Sequence, residues 1–121
     1  MPPSGSLGPP MQDESAFLAL TDRVLDTIGA ALDAAESGDL DWSENDGVLT
    51  VDCGGGGRII VNRHVPNREI WVAAKSGGFH FRAEGGVWKD SRGGEELGAV
   101  LQRVLRQQAE ARVDFPPLKS V

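Results

Sequence analysis

The sequence predicts an α+β fold: a two-layer sandwich in which N- and C-terminal helices pack on one face of an antiparallel sheet of about six strands. Two observations predict it. Apolar residues recur at helical spacing near both ends of the chain, and between them the spacing changes to the alternation of strands. Connections rich in Gly or Asn separate the alternating segments, which is typical of consecutive antiparallel hairpins. An antiparallel sheet covered by helices on one face satisfies both patterns.

The first helix is predicted over residues 13–37. Asp13 or Ser15 is the expected N-cap, and Gly38 is the expected end of the helix. A rotation of about 100° per residue places the apolar side chains on one stripe. This stripe consists of Phe17, Leu20, Val24, Ile28, Ala31, Leu32 and Ala35.

Six short strands and a second helix follow. The strands are predicted at residues 39–45, 47–53, 57–63, 68–74, 78–84 and 86–90. The second helix is predicted from about Gly94 to Arg112, and Pro116 and Pro117 prevent it from continuing. Residues expected to be buried between the layers are Phe17, Val24, Ile28, Leu32, Val51, Val61, Ile70, Val72, Phe81, Leu97, Leu101 and Val104.

The 121 residues are enough for one domain of usual size. We place this domain at residues 12–115, after a Pro/Gly/Ser-rich segment (residues 1–11) that we interpret as a flexible leader or expression remnant. Residues 116–121 form a C-terminal tail.

No apolar run is long enough to span a bilayer. The single cysteine, Cys53, excludes an internal disulfide and fits a reducing compartment, so we expect a cytoplasmic protein.

The charge balance and the motifs exclude several functions. The net charge is −6, with 18 acidic against 12 basic residues, which argues against a nucleic-acid-binding protein and favours cations or a basic partner. There is no CxxC, HExxH or clustered His/Cys pattern of a zinc or haem site. Nothing in the sequence orients Cys53, His64 or His80 for catalysis. We therefore expect no enzymatic activity.

Acidic residues gather on the face of the first helix opposite its apolar stripe and continue into the first strand. We call this set the acidic ridge: Asp22, Asp26, Asp33, Glu36, Asp39 and Asp41. Arg23 is the only basic residue of the predicted helix, and like charges at i,i+4 cost stability. Two interpretations remain open. The ridge is a solvated helix face, or it binds cations weakly through hard oxygen ligands without a closed cage.

A tryptophan is predicted on the wrong face of the sheet. If Ile70 and Val72 point toward the helices, Trp71 points away from them, because strand side chains alternate. We call this side of the sheet the outer face. An aromatic anchor inside a polar rim is typical of protein interfaces, although Trp71 could also merely shield the open face. The predicted partner-binding residues are Asn62, His64, Asn67, Trp71, His80 and Arg82.

The order of elements and two sequence segments resemble the frataxin family, most closely its bacterial branch. The segments are GVLTVDCGGGGRIIVNR (residues 47–63) and PNREIWVAAKSGGFHF (residues 66–81), followed by the closing helix. The resemblance covers residues 12–115. It implies a small iron-binding protein of iron–sulfur cluster assembly that contacts the cysteine desulfurase and regulates cluster formation or supplies iron.

The same resemblance implies roles for both surfaces. It assigns weak binding of Fe²⁺/Fe³⁺, and of basic patches on the partner, to the acidic ridge. It assigns contacts with the desulfurase and the iron–sulfur scaffold protein to the outer face around Trp71. We also expect no nucleic acid or membrane partner, and a monomer in the absence of iron. The alternative from the residues alone is a non-catalytic protein-interaction module whose acidic helix is only a solvated face.

Overall fold

The computed structural model describes residues 13–35 and 40–121. Its first helix, α1 (Glu14–Ala34), begins where predicted, because the Asp13 side chain accepts a hydrogen bond from the Ser15 N–H. The helix ends at Ala34, earlier than predicted, and Ala35 is extended. The predicted end at Gly38 lies outside the described residues.

The sheet contains the six predicted strands in sequence order, each antiparallel to the next. They are β1 (Asp41–Asn45), β2 (Val48–Asp52), β3 (Arg58–His64), β4 (Glu69–Ala74), β5 (Gly77–Glu84) and β6 (Val87–Asp90). The second helix, α2 (Leu97–Ala109), ends where Glu110 adopts a left-handed conformation. The predicted α+β sandwich is therefore confirmed.

The core lies between the two helices and the inner face of the sheet. All twelve residues that the sequence pattern predicted to be buried are buried. Sequence reasoning missed the largest fully buried side chain, Trp88 of β6. Its indole Nε1 donates a hydrogen bond to the Lys119 carbonyl at 3.1 Å, and Ser120 N–H donates to the Gly86 carbonyl. The segment after α2 therefore runs along the edge of β6.

Gln108 of α2 joins the helix to the sheet by side-chain hydrogen bonds. Its Nε2 donates to the carbonyls of Gly56 and Arg58 at 3.1 and 3.2 Å. Its Oε1 accepts from the Lys75 N–H at 2.7 Å. One side chain thus satisfies three backbone groups that lie outside regular strand pairing or at strand ends.

Candidate functional site

Trp71 lies on the outer face, as the alternation predicted, but it does not stand free in water. Its indole is half-buried and is stacked between two imidazole rings. The His64 ring, from β3, lies 3.9 Å from it between centroids at 8°, and the His80 ring, from β5, lies 4.5 Å away at 17°. Because β3 and β5 flank β4, the two rings cover opposite faces of the indole. We call these three rings the aromatic stack.

A buried carboxylate, that of Glu69, holds the indole of the aromatic stack by a hydrogen bond. Glu69 is only 5% exposed, and its two oxygens accept hydrogen bonds from Trp71 Nε1 at 2.8 Å and from Arg82 Nε at 3.0 Å. Burial by itself raises the pKa of Glu69, but the hydrogen bonds from Trp71 and Arg82 outweigh it, so the pKa lies below its usual value. Glu69 therefore stays ionised and holds the indole in place. Sequence reasoning missed Glu69, although its spacing of two from Trp71 places it on the same face of the strand.

The remaining predicted partner-binding residues surround the stack. Asn62 is the β3 residue directly opposite Trp71, and the side chain of Arg82 is 69% exposed. Asn67 lies in the turn between β3 and β4, where its backbone N–H donates to His64 Nδ1 at 3.3 Å. The fold thus brings all six predicted residues to one end of the outer face.

The acidic ridge differs from the sequence-based interpretation at Asp22. Asp22 is paired with Arg63 of β3, whose Nη1 lies 2.5 Å from its Oδ1. Arg63 is the inward-facing residue between two outward-facing ones, so its guanidinium reaches across the inner face to α1. The ridge is therefore compensated at this position, although Arg23 is the only basic residue of the predicted helix. The compensating charge is the guanidinium of Arg63 on β3 and not a basic residue of α1.

A second ridge carboxylate is engaged by an indole. Asp33 accepts a hydrogen bond from Trp42 Nε1 at 2.8 Å. The Trp42 ring packs so closely on α1 that a Cβ atom at Gly29 would lie 2.5 Å from it. Asp26, one helical turn after Asp22, is exposed, and in the described part of the chain no hydrogen bond or ion pair reaches it.

The strand part of the ridge points elsewhere. Asp41 on β1 lies opposite Asp52 on β2 in the strand register, and both side chains are exposed on the outer face. Trp42, the next residue of β1, points inward. Asp41 is therefore separated by the sheet from the carboxylates of α1. Glu36 and Asp39 lie outside the described residues.

The described carboxylates form no cage for a metal ion. Among residues 13–35 and 40–121, no group of three or more His, Cys, Asp or Glu residues is placed to hold a metal. Single, exposed carboxylate oxygens suit hard cations such as iron, but they bind them weakly because few ligands act together. The carboxylates of the described residues therefore offer single oxygen ligands and no cage that would hold an ion tightly.

The single thiol has no catalytic setting. Cys53 is buried at the end of β2, and burial raises its pKa, with a smaller contribution from the neighbouring Asp52 carboxylate. A thiol that stays protonated is a poor nucleophile. Among the described helices, none is long and apolar enough to cross a membrane.

Comparison with known proteins adds a family-level finding. A family model described as a frataxin-like domain matches residues 10–111. The iron-sulfur cluster assembly protein CyaY of Cupriavidus pinatubonensis is 46% identical over 106 residues, which cover 85% of this chain and 95% of that protein. The protein of the same name from Ralstonia nicotianae is 43% identical and is covered to 95%, with 87% of this chain matched.

Solved structures give the same fold. Frataxin from Psychromonas ingrahamii superimposes with a TM-score of 0.78 at 30% identity, covering 86% of this chain and 98% of that one. The trimeric frataxin of the yeast Saccharomyces cerevisiae, complexed with ferrous iron, gives a TM-score of 0.62 at 26% identity, with coverages of 81% and 87%.

Proposed function

The chain belongs to the frataxin-like family, and we propose that it is a non-catalytic, iron-binding protein of iron–sulfur cluster assembly. The observation that carries the proposal is the match over residues 10–111, a span that includes both surfaces described above. Relatives at 39–46% identity are named for this assembly. A fold alone does not imply a function, so the proposal depends on this similarity together with the two surfaces.

In this proposal iron is a cargo that the acidic ridge binds weakly. The ligands would be Asp22, Asp26, Asp33, Glu36, Asp39 and Asp41. The geometry supports weak binding, since Asp22 and Asp33 already have protein partners and Asp41 faces the other side of the sheet. Weak binding by exposed oxygens suits a protein that must release its ion to another. The yeast relative complexed with ferrous iron supports the choice of metal.

The proposed partners are the cysteine desulfurase and the scaffold protein, in the cytoplasm, with this chain acting as a monomer when iron is absent. The acidic ridge would meet a basic patch on a partner, which gives a fast and salt-sensitive encounter. The outer face would supply the specific contact. Because both faces of the indole are covered by imidazoles, the partner would meet the edge of the aromatic stack. The proposed contact residues are Asn62, His64, Asn67, Trp71, His80 and Arg82.

A second candidate is a protein-interaction module whose acidic helix is only a solvated face. The hydrogen bonds of Asp22 and Asp33 favour it, because they give two ridge carboxylates a structural role without any metal. The two candidates share the outer face, and iron binding separates them.

A titration with Fe²⁺ under anaerobic conditions separates these candidates. We expect iron to broaden amide resonances of α1 around Asp26 first, and Asp26→Asn to weaken binding several-fold. The same change should alter the stability of the apo protein by less than about 0.5 kcal/mol, because the Arg63 guanidinium already compensates Asp22, the carboxylate one turn before Asp26. Asp114→Asn, at an exposed carboxylate after α2, is the matched control. The absence of binding at millimolar iron would leave only the interaction module.

A desulfurase assay with and without the protein tests the regulatory part of the proposal. We expect the rate of cysteine desulfuration or cluster formation to change in proportion to the protein added, and the effect to weaken at high salt. An unchanged rate at saturating protein, with both partners present, would contradict regulation of this enzyme.

A further inference from the structure

The two histidines of the aromatic stack are held differently. His64 Nδ1 accepts the hydrogen bond of the Asn67 backbone N–H at 3.3 Å, in the turn that joins β3 to β4. Within the described residues, no side-chain hydrogen bond reaches the ring of His80. A ring nitrogen that accepts a hydrogen bond from an N–H group carries no proton. The turn therefore selects the neutral form of His64 in which Nε2 is protonated and Nδ1 is not.

We propose that His64 is a proton-controlled latch on the β3–β4 turn. When Nδ1 takes up a proton it becomes a donor, and it then faces the Asn67 N–H, which is also a donor. The turn contact is lost. The contact is therefore made when the His64 ring is neutral and lost when the ring is protonated. The functional consequence rests on the proposed function, because Asn67 belongs to the surface proposed for the partner.

The surroundings of His64 confine the effect to the turn. An imidazolium is attracted to the face of an indole, so protonation should preserve the contact with Trp71. The carboxylate of Glu69, opposite His64 in the register, accepts its two hydrogen bonds from Trp71 and Arg82 and none from the Asn67 N–H. On the elements around His64, the charged and titratable groups at its end of the sheet are Glu69 on β4, His80 and Arg82 on β5, Lys89 on β6, Asp46 in the turn before β2 and Arg68 in the turn before β4.

The last of these groups does not take part. The Arg68 guanidinium lies 5.8 Å from the Phe17 ring centroid and donates to the Val65 carbonyl, so it is turned toward the helix side. His80 stacks on the opposite face of the indole. Within the described residues, no hydrogen bond joins the His80 ring to the turn. Of the two histidines, only His64 can therefore act as the latch, and His80 provides an internal control.

The test is an NMR pH titration of the protein alone, with His64→Gln and His80→Gln as matched variants. At pH 8 the Nδ1 resonance of His64 should be that of an unprotonated ring nitrogen. On lowering the pH to 5, the Asn67 amide resonance should shift with the midpoint of the His64 ring. Its solvent exchange, corrected for the intrinsic rate, should rise about 2- to 10-fold, as expected for the loss of one ordinary hydrogen bond.

The variants decide the interpretation. His64→Gln should abolish the pH dependence of the Asn67 amide, and His80→Gln should leave it unchanged. An Asn67 amide that follows the His80 midpoint, or a His64 Nδ1 that carries its proton at pH 8, would overturn the latch. Because no partner is present, a failure of the desulfurase or iron experiments would contradict the proposed function without changing this result.

Discussion

Replacing Trp71 by Phe should destabilise the protein even though Trp71 lies outside the core. The change keeps an aromatic ring between His64 and His80 but removes the Nε1–H that donates to Glu69. The carboxylate of Glu69 is nearly buried, and a hydrogen bond to a charged group contributes about 1.5–3 kcal/mol. Arg82 remains as the other donor, although its side chain is mostly exposed and its ion pair is screened by water. We therefore expect Trp71→Phe to lower the free energy of unfolding by about 1–2 kcal/mol, near the lower end of what a hydrogen bond to a charged group contributes.

The loss should depend on pH in a defined direction. The pKa of Glu69 is lowered in the folded protein, so its ionised form contributes stability above the ordinary value of 4.5, and this contribution is lost as the pH falls through the lower native pKa. Without the indole donor, the pKa of Glu69 should move upward toward its ordinary value. The stability difference between the wild type and Trp71→Phe should thus be largest at neutral pH and should narrow below about pH 4.5.

Urea unfolding at a series of pH values measures both effects, and Glu69→Gln completes a double-mutant cycle. We expect a coupling energy of about 1 kcal/mol or more at pH 7, since the two residues share one hydrogen bond. A loss below about 0.5 kcal/mol, which is typical of ordinary surface changes, would refute the reasoning that Glu69 depends on the indole. A stability difference that does not vary with pH would refute the role of its charge.

Two further predictions concern contacts between the layers. Gln108→Ala should lower the free energy of unfolding in urea by about 1–3 kcal/mol, because it leaves three backbone groups without their partner. Gln107→Ala, at the exposed neighbouring position, should lower it by less than about 0.5 kcal/mol. Equal losses of stability in the two variants would contradict the bridging role of Gln108. Gly→Ala inside a helix ordinarily stabilises by up to about 1 kcal/mol, and we expect this gain for Gly98→Ala, whose new Cβ atom would be in ordinary contact at 3.8 Å. Gly29→Ala should instead lower the melting temperature, because its Cβ atom would lie 2.5 Å from the Trp42 ring; a gain at both positions would show that the ring moves aside without cost.

The sequence by itself determined the elements and the direction of most side chains. The 3.6-residue period of α1 and α2 and the alternation within β2 to β5 specify which residues face the core, and all twelve predicted core residues are buried. The same alternation placed Trp71 on the outer face, since a residue between two inward-facing neighbours must point outward. These features are local, because each depends only on the geometry of one element.

Only the tertiary structure decided which side chains meet. Arg63 pairs with Asp22, 41 positions away, and Glu69 is joined to Arg82, 13 positions away, because strand register and helix packing bring them within hydrogen-bond distance. Periodicity gives the direction of a side chain from its own backbone, but it contains no information on the distance to another element. For the same reason the sequence could suggest that Asp41 continues the acidic ridge, whereas the pairing of β1 with β2 turns it to the opposite face of the sheet from the carboxylates of α1.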